Sequence, residues 1–149
     1  MRSVQKSLRI PVRTARSIQE LADAADRDFS RTTNELLEEA IRMRRCPGIV
    51  FTFGPAGRRA TIAGTGIDVW EVVAKTRATG SDFRRLQRYY SWLPESQIRS
   101  ALTYYQLYPE EIDARLRREE AMTPAAVYGR HPAIKPSLAL QRRRPRHGR

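Results

Sequence analysis

Residues 3–10, SVQKSLRI, alternate with period two, and two short helical repeats follow with no second strand between them. That order constrains the fold more than any other feature of the chain. One face of the alternating segment carries Val4, Lys6, Leu8 and Ile10; the other carries Ser3, Gln5, Ser7 and Arg9. Pro11 has no N–H and closes the ladder. Ile18, Leu21, Ala22 and Ala25 then fall at i, i+3, i+4 and i+7, and the polar residues 26–28 end this first helix. Ser30 suits the N-cap of a second helix, with Thr33, Leu36, Leu37, Ala40 and Ile41 on one face. Arg42, Arg44 and Arg45 complement its dipole, and Pro47 and Gly48 stop it. One strand and two helices in about 45 residues cannot bury enough apolar surface to fold alone. A single strand also leaves its hydrogen-bonding edge open. Two copies that pair their strands antiparallel and interlock their helices remove both problems.

This segment resembles, throughout its length, the ribbon-helix-helix module of the Arc, MetJ and CopG repressors. The resemblance implies a dimer whose two-stranded ribbon enters the major groove of operator DNA. Gln5, Ser7 and Arg9 stand at the base-reading positions, and their chemistry suits adenine, either purine, and guanine respectively. It also implies that the amides near Ser30, Arg31 and Thr32, at the start of the second helix, clamp a phosphate. The departure from the family is Lys6, which takes an inward position where an apolar residue is usual; its stem can pack while the ammonium escapes at the dimer edge. A strand-helix-helix unit that dimerises without touching DNA is the alternative reading of the same pattern.

Residues 49–63 read as a β-hairpin, IVFTF and RRATIA joined by Gly54, Pro55, Ala56 and Gly57. After Gly64, Thr65 and Gly66 the pattern turns helical. Ile67, Trp70 and Val73 share a face, and Gly80 ends that helix. Ser81 caps a short helix with Phe83, Leu86 and Tyr90. Pro94 opens another in which Ile98, Ala101, Leu102 and Tyr105 recur, and Pro109 begins a last one with Glu110 and Glu111 in its first turn. The residues IAGTGIDVWEVV (62–73), Gly80 and Ser81, and QIRSALTYYQLYPEEID (97–113) resemble the family catalogued as domain of unknown function four-three-three. That resemblance implies the antitoxin half of a toxin–antitoxin pair, a PIN-like ribonuclease toxin as partner, and a helix-turn-helix surface entered near residues 96–99. Gly64, Thr65 and Gly66 are not a phosphate loop, since the lysine and the longer glycine spacing are missing. The helical spacing of the aromatics predicts core and partner surface rather than base stacking.

Charge is distributed unevenly. The net charge is +12, of which residues 1–46 carry +3, residues 47–121 carry +2 and residues 122–149 carry +7 with no acidic side chain. A basic total therefore says little about the N-terminal module, whose DNA binding rests on placed residues. The tail, with Pro124, Pro132, Pro136, Pro145 and three consecutive arginines, has the composition of a segment disordered when free. By resemblance to antitoxins that block an acidic metal site with an inserted arginine, Arg130, Arg142, Arg143, Arg144 and Arg146 are toxin-binding candidates. A solvated tail that adds nonspecific phosphate affinity fits equally.

Cys46 is the single cysteine, which excludes an intrachain disulfide and a cysteine zinc site. No apolar run approaches the roughly 18 residues of a membrane span, and the N-terminus lacks a signal-peptide core, so a soluble cytoplasmic protein is expected. Both histidines, His131 and His147, lie in the tail, and no carboxylate pair stands in a catalytic motif, so neither an enzyme nor a cofactor is expected. The expected architecture is mainly α: a ribbon-helix-helix dimerisation module at 1–46, a β-hairpin with a small helix-turn-helix-like helical domain at 47–121, and the basic tail at 122–149. The expected function is a dimeric, autorepressing antitoxin of a type II toxin–antitoxin system, which binds double-stranded operator DNA and a PIN-like ribonuclease. A homodimer or higher even oligomer follows. The alternatives are a stand-alone repressor whose second domain senses a ligand or oligomerises, and a protein-interaction module without DNA binding.

Overall fold

The computed structural model describes residues 2–54 and 57–122. The chain is mainly helical, with one two-stranded antiparallel sheet among the described residues. Residues 2–10 precede the first helix without regular secondary structure, so the period-two segment forms no strand in the single chain. A strand needs a partner ladder, and none of the described residues supplies one.

Helix α1 (Val12–Ala24) follows Pro11, which occupies the N-cap position and commits no N–H there. Asp26 turns the chain in the left-handed region at φ 51°, a conformation Asp tolerates better than most residues. Helix α2 (Phe29–Arg45) begins earlier than the sequence suggests. Asp28, not Ser30, is its N-cap, and Asp28 Oδ1 accepts from Arg31 N at 2.8 Å. Asp28 competes for the cap as well as Ser does, and Phe29 finds partial cover once inside the helix. Only Ile18 and Ala22 of α1 and Thr32 of α2 are buried.

Gly48, at φ 89°, carries the chain from α2 into the hairpin, where a side chain would be strained. Strands β1 (Ile49–Gly54) and β2 (Gly57–Ile62) pair from Ile49 opposite Ile62 to Gly54 opposite Gly57. Helix α3 (Val69–Ala78) starts at a reciprocal capping box: the Asp68 side chain meets the third amide and Glu71 reaches back to Asp68 N at 2.8 Å. Gly80 and Ser81 both adopt positive φ, and the short α4 (Phe83–Tyr89) is capped by Asp82, whose Oδ1 accepts from Arg84 N and Arg85 N. The expected cap, Ser81, is instead spent on the turn. Helix α5 (Glu95–Leu107) starts after Pro94, and α6 (Pro109–Ala121) has Pro109 in its first turn with Glu110 and Glu111.

One core serves the second half of the chain. Ile49 and Ile62 of the hairpin meet Val69, Val72 and Val73 of α3, Ile98, Ala101 and Tyr104 of α5, and Ile112 and Leu116 of α6. The packed faces are shifted slightly from the expected ones. Trp70 and Tyr105 are half-buried while Val69, Val72 and Tyr104 are wholly enclosed, because both helices are covered on more than one side. Of the described residues before the hairpin, only Cys46, the C-cap of α2, belongs to this buried core.

Candidate nucleic-acid interface

The residues expected to read bases lie on the exposed N-terminal segment. Gln5, Ser7 and Arg9 are all exposed, as is Lys6. Val4 and Leu8, on the expected inward face, are exposed at 78% and 66%. The segment runs beside the start of α2: Lys6, Ser7 and Leu8 share a shallow groove with Phe29, Ser30, Thr33 and Asn34. Ser7 and Ser30, predicted from separate arguments, therefore come together. Gln5, Arg9, Arg31 and Thr32 are not part of that groove's lining.

The amides at the start of α2 are partly committed within the chain. Arg31 N donates to Asp28 Oδ1, and Thr32 N donates to Asp28 O at 3.1 Å. Of the three predicted clamp positions, the Ser30 amide is the one with neither of these partners. The Thr32 side chain is buried, and its hydroxyl has no hydrogen-bond partner. Arg31 lies 3.5 Å from Glu35, which also pairs with Arg27. These pairs orient the first turns of α2.

The opposite end of α2 is tied to the second module. Arg42 pairs with Glu111 of α6, donates to the Tyr104 hydroxyl at 2.9 Å and lies 4.4 Å over the ring of Tyr108. Tyr104 in turn donates to Glu111 at 3.0 Å. Arg58 of β2 reaches Glu39 of α2 at 3.5 Å and Glu111 at 3.6 Å. Burial lowers the proton affinity of the Arg42 guanidinium, but Tyr104 and Glu111 overcome that effect and raise it. The Tyr104 phenol is pushed well above its ordinary range, first by burial and then by the Glu111 charge. The sequence assigned Arg42 only to the α2 dipole and Glu111 only to the α6 dipole. Their meeting across 69 positions leaves no local signal.

The surface near residues 96–99 is mixed. Ser96 and Arg99 are exposed, Gln97 is half-buried and Ile98 is core. Arg99 pairs with Glu95 at 2.5 Å and sits 4.3 Å over the Phe83 ring, so its charge is already engaged. Of the aromatics, Tyr104 and Tyr90 are buried, whereas Tyr89 and Trp92 are exposed at 57% and 61%. Lys75 stands 3.5 Å over Tyr89. Among the described residues no group of His, Cys, Asp and Glu is placed to hold a metal ion, and no helix is long and apolar enough to cross a membrane. The toxin-binding candidates Arg130, Arg142, Arg143, Arg144 and Arg146 lie outside the described residues.

The second module is thus a hairpin packed on a small helical array, with Tyr90 and Tyr104 inside and Tyr89 and Trp92 on the outside. Residues 49–105 match the family described as "Protein of unknown function (DUF433)". The match covers the hairpin, α3, α4 and most of α5, and stops short of α6 and of Glu111. Neither a curated protein nor a solved structure matches the chain.

Proposed function

We propose that the protein is a homodimeric, operator-binding antitoxin that represses its own transcription and neutralises a PIN-like ribonuclease in the cytoplasm, without enzymatic activity of its own. The observation that carries this reading is the uncovered apolar surface of the first 45 residues. Val4, Leu8, Val12, Leu21, Leu37 and Ile41 are each exposed by half or more, although they lie on the segments whose periodicity predicts buried faces. Apolar exposure concentrated in one module in this way supports an interaction surface. A second copy of the ribbon-helix-helix pattern, paired strand to strand, covers it and sets Gln5, Ser7 and Arg9 outward. The resemblance read from residues 62–73 and 97–113, which implies an antitoxin, is the ground for the toxin half of the proposal, and the +7 tail supplies the arginines for it.

Operator binding by an Arg9→Ala variant tests the DNA half. The expected loss is about 1–3 kcal/mol per half-site, greatest on the cognate sequence. An equal loss on every sequence reduces Arg9 to a phosphate contact, and no binding by the unaltered protein removes the DNA reading. Deleting residues 122–149 tests the tail. Affinity for a co-purified nuclease is expected to fall at least tenfold, and unchanged affinity discards the inhibitory role.

A further inference from the structure

Away from the N-terminal module, a small cleft of about 30 Å³ opens between β2 and α6. That is well below the roughly 300–1,000 Å³ of drug-sized sites and has room only for a small ion or a water or two. Arg58 and Arg59 come to it from β2, Arg115 and Arg118 from α6, Trp70 from α3, and Glu111 is the one carboxylate in the lining. Four guanidinium groups therefore face one acid, and that acid is already shared with Arg42.

The internal ion pairs leave part of this donor capacity unused. Arg59 Nε lies 3.4 Å from Asp68 Oδ2 without hydrogen bonding to it, and Arg58 reaches its two carboxylates only at 3.5 and 3.6 Å. Arg115 pairs through Nη2 with Glu119 at 2.5 Å, but its Nε has no partner. Both Nε atoms are shielded from solvent. A buried polar atom without a partner is rare in a folded protein and an ion is one of its explanations, but a phosphate oxygen reaches either Nε only after the surrounding side chains move apart. The arginines are also held in place: Arg115 lies 5.6 Å over the Trp70 ring, and Trp70 Nε1 donates to Asp68 at 3.1 Å.

We propose that this cleft binds a phosphate group, with Arg59 and Arg115 as its principal donors and Trp70 beside the group that the phosphate carries. Guanidinium forks match oxyanions in geometry and keep their charge at every accessible pH. Donors delivered from a strand and from a helix approach from different directions. That arrangement fits the tetrahedral oxygens of phosphate better than the two coplanar oxygens of a carboxylate. The phosphate belongs either to a small molecule, free phosphate or a monoester, or to the diester backbone of a nucleic acid. The proposal does not depend on the ribbon-helix-helix reading.

The test is a titration of the full-length, nitrogen-15-labelled protein with sodium phosphate, followed at the Nε–Hε resonances of Arg59 and Arg115. Acetate at matched ionic strength and a short oligonucleotide form two further arms, and the tail arginines serve as an internal control. Phosphate is expected to shift Arg59, Arg115 and the Trp70 indole saturably while the Trp92 indole stays unmoved. Arg59→Gln and Arg115→Gln should each raise the apparent Kd at least tenfold. Saturation by the oligonucleotide alone also supports the site and assigns the phosphate to nucleic acid. Linear shifts equal to those of the tail arginines, or an acetate response matching that of phosphate, overturn it. If a Gln variant unfolds, Arg115→Lys keeps the charge and stem but loses the fork. Unweakened binding by a folded Lys variant removes Arg115 from its proposed role, and the titration of the unaltered protein decides the site itself.

Discussion

At the scale of single residues, Arg42 is where the two halves of the chain are joined. Its side chain is only 18% exposed, and it satisfies Glu111, Tyr104 and the face of Tyr108 together. Removing one member of such a network strands the others, so the cost exceeds that of a surface ion pair. Arg42→Ala is expected to destabilise the protein by about 2–4 kcal/mol, and Glu111→Gln by less because the amide still accepts a hydrogen bond. In a double-mutant cycle read by urea unfolding, the pair should show a coupling of about 1–3 kcal/mol. Additive losses would mean that the two act separately. Little of this was legible in the sequence. Arg42 and Glu111 each had a sufficient local explanation at a helix end, and a local explanation gives no reason to look for a distant partner. The capping box of Asp68 and Glu71 is different, since its spacing alone could have revealed it.

At the scale of elements, the helices were legible because their apolar periods and their stops are local properties. Pro94 and Pro109 open α5 and α6 where a missing N–H costs nothing. Gly80 ends α3 where the chain needs positive φ. The errors fall at caps, where two adjacent residues are both competent. Asp28 took the cap expected of Ser30, and Asp82 the cap expected of Ser81. This has a direct consequence for α2. Asp28→Ala removes the acceptor for Arg31 N and should lower stability by about 1 kcal/mol, whereas Ser30→Ala, inside the first turn, should be nearly neutral. Thermal melts of the two variants check the assignment; a larger loss from Ser30→Ala would restore the cap to Ser30. The phosphate clamp is narrowed by the same finding, because Asp28 already holds two of the amides near it.

At the scale of the whole molecule, the two halves differ in how well they are closed. The second half encloses Tyr104, Ile98, Leu86, Val69 and Val72 completely, while α1 and α2 leave Leu21, Leu37 and Ile41 about half exposed. A pattern that predicts buried faces and a single chain that leaves them open are reconciled when the missing cover is a second copy. Under the proposed pairing, the period-two segment acquires from the second copy the ladder it lacks among the described residues. Leu37 and Ile41 lie one turn apart on α2, and half of each side chain remains to be buried. At about 25 cal/mol per Å² of apolar surface, closing them contributes on the order of 1 kcal/mol per side chain in each protomer. A charge placed there reverses that gain and adds a desolvation cost. Sedimentation of the unaltered protein is therefore expected to give a dimer, with a Tm that rises with protein concentration. Leu37→Glu should shift it to monomer while α3 to α6 keep their helical signal. If that variant remains dimeric, the N-terminal face is not the dimer contact. If it is monomeric and still binds operator with full affinity, the paired ribbon is not what holds DNA.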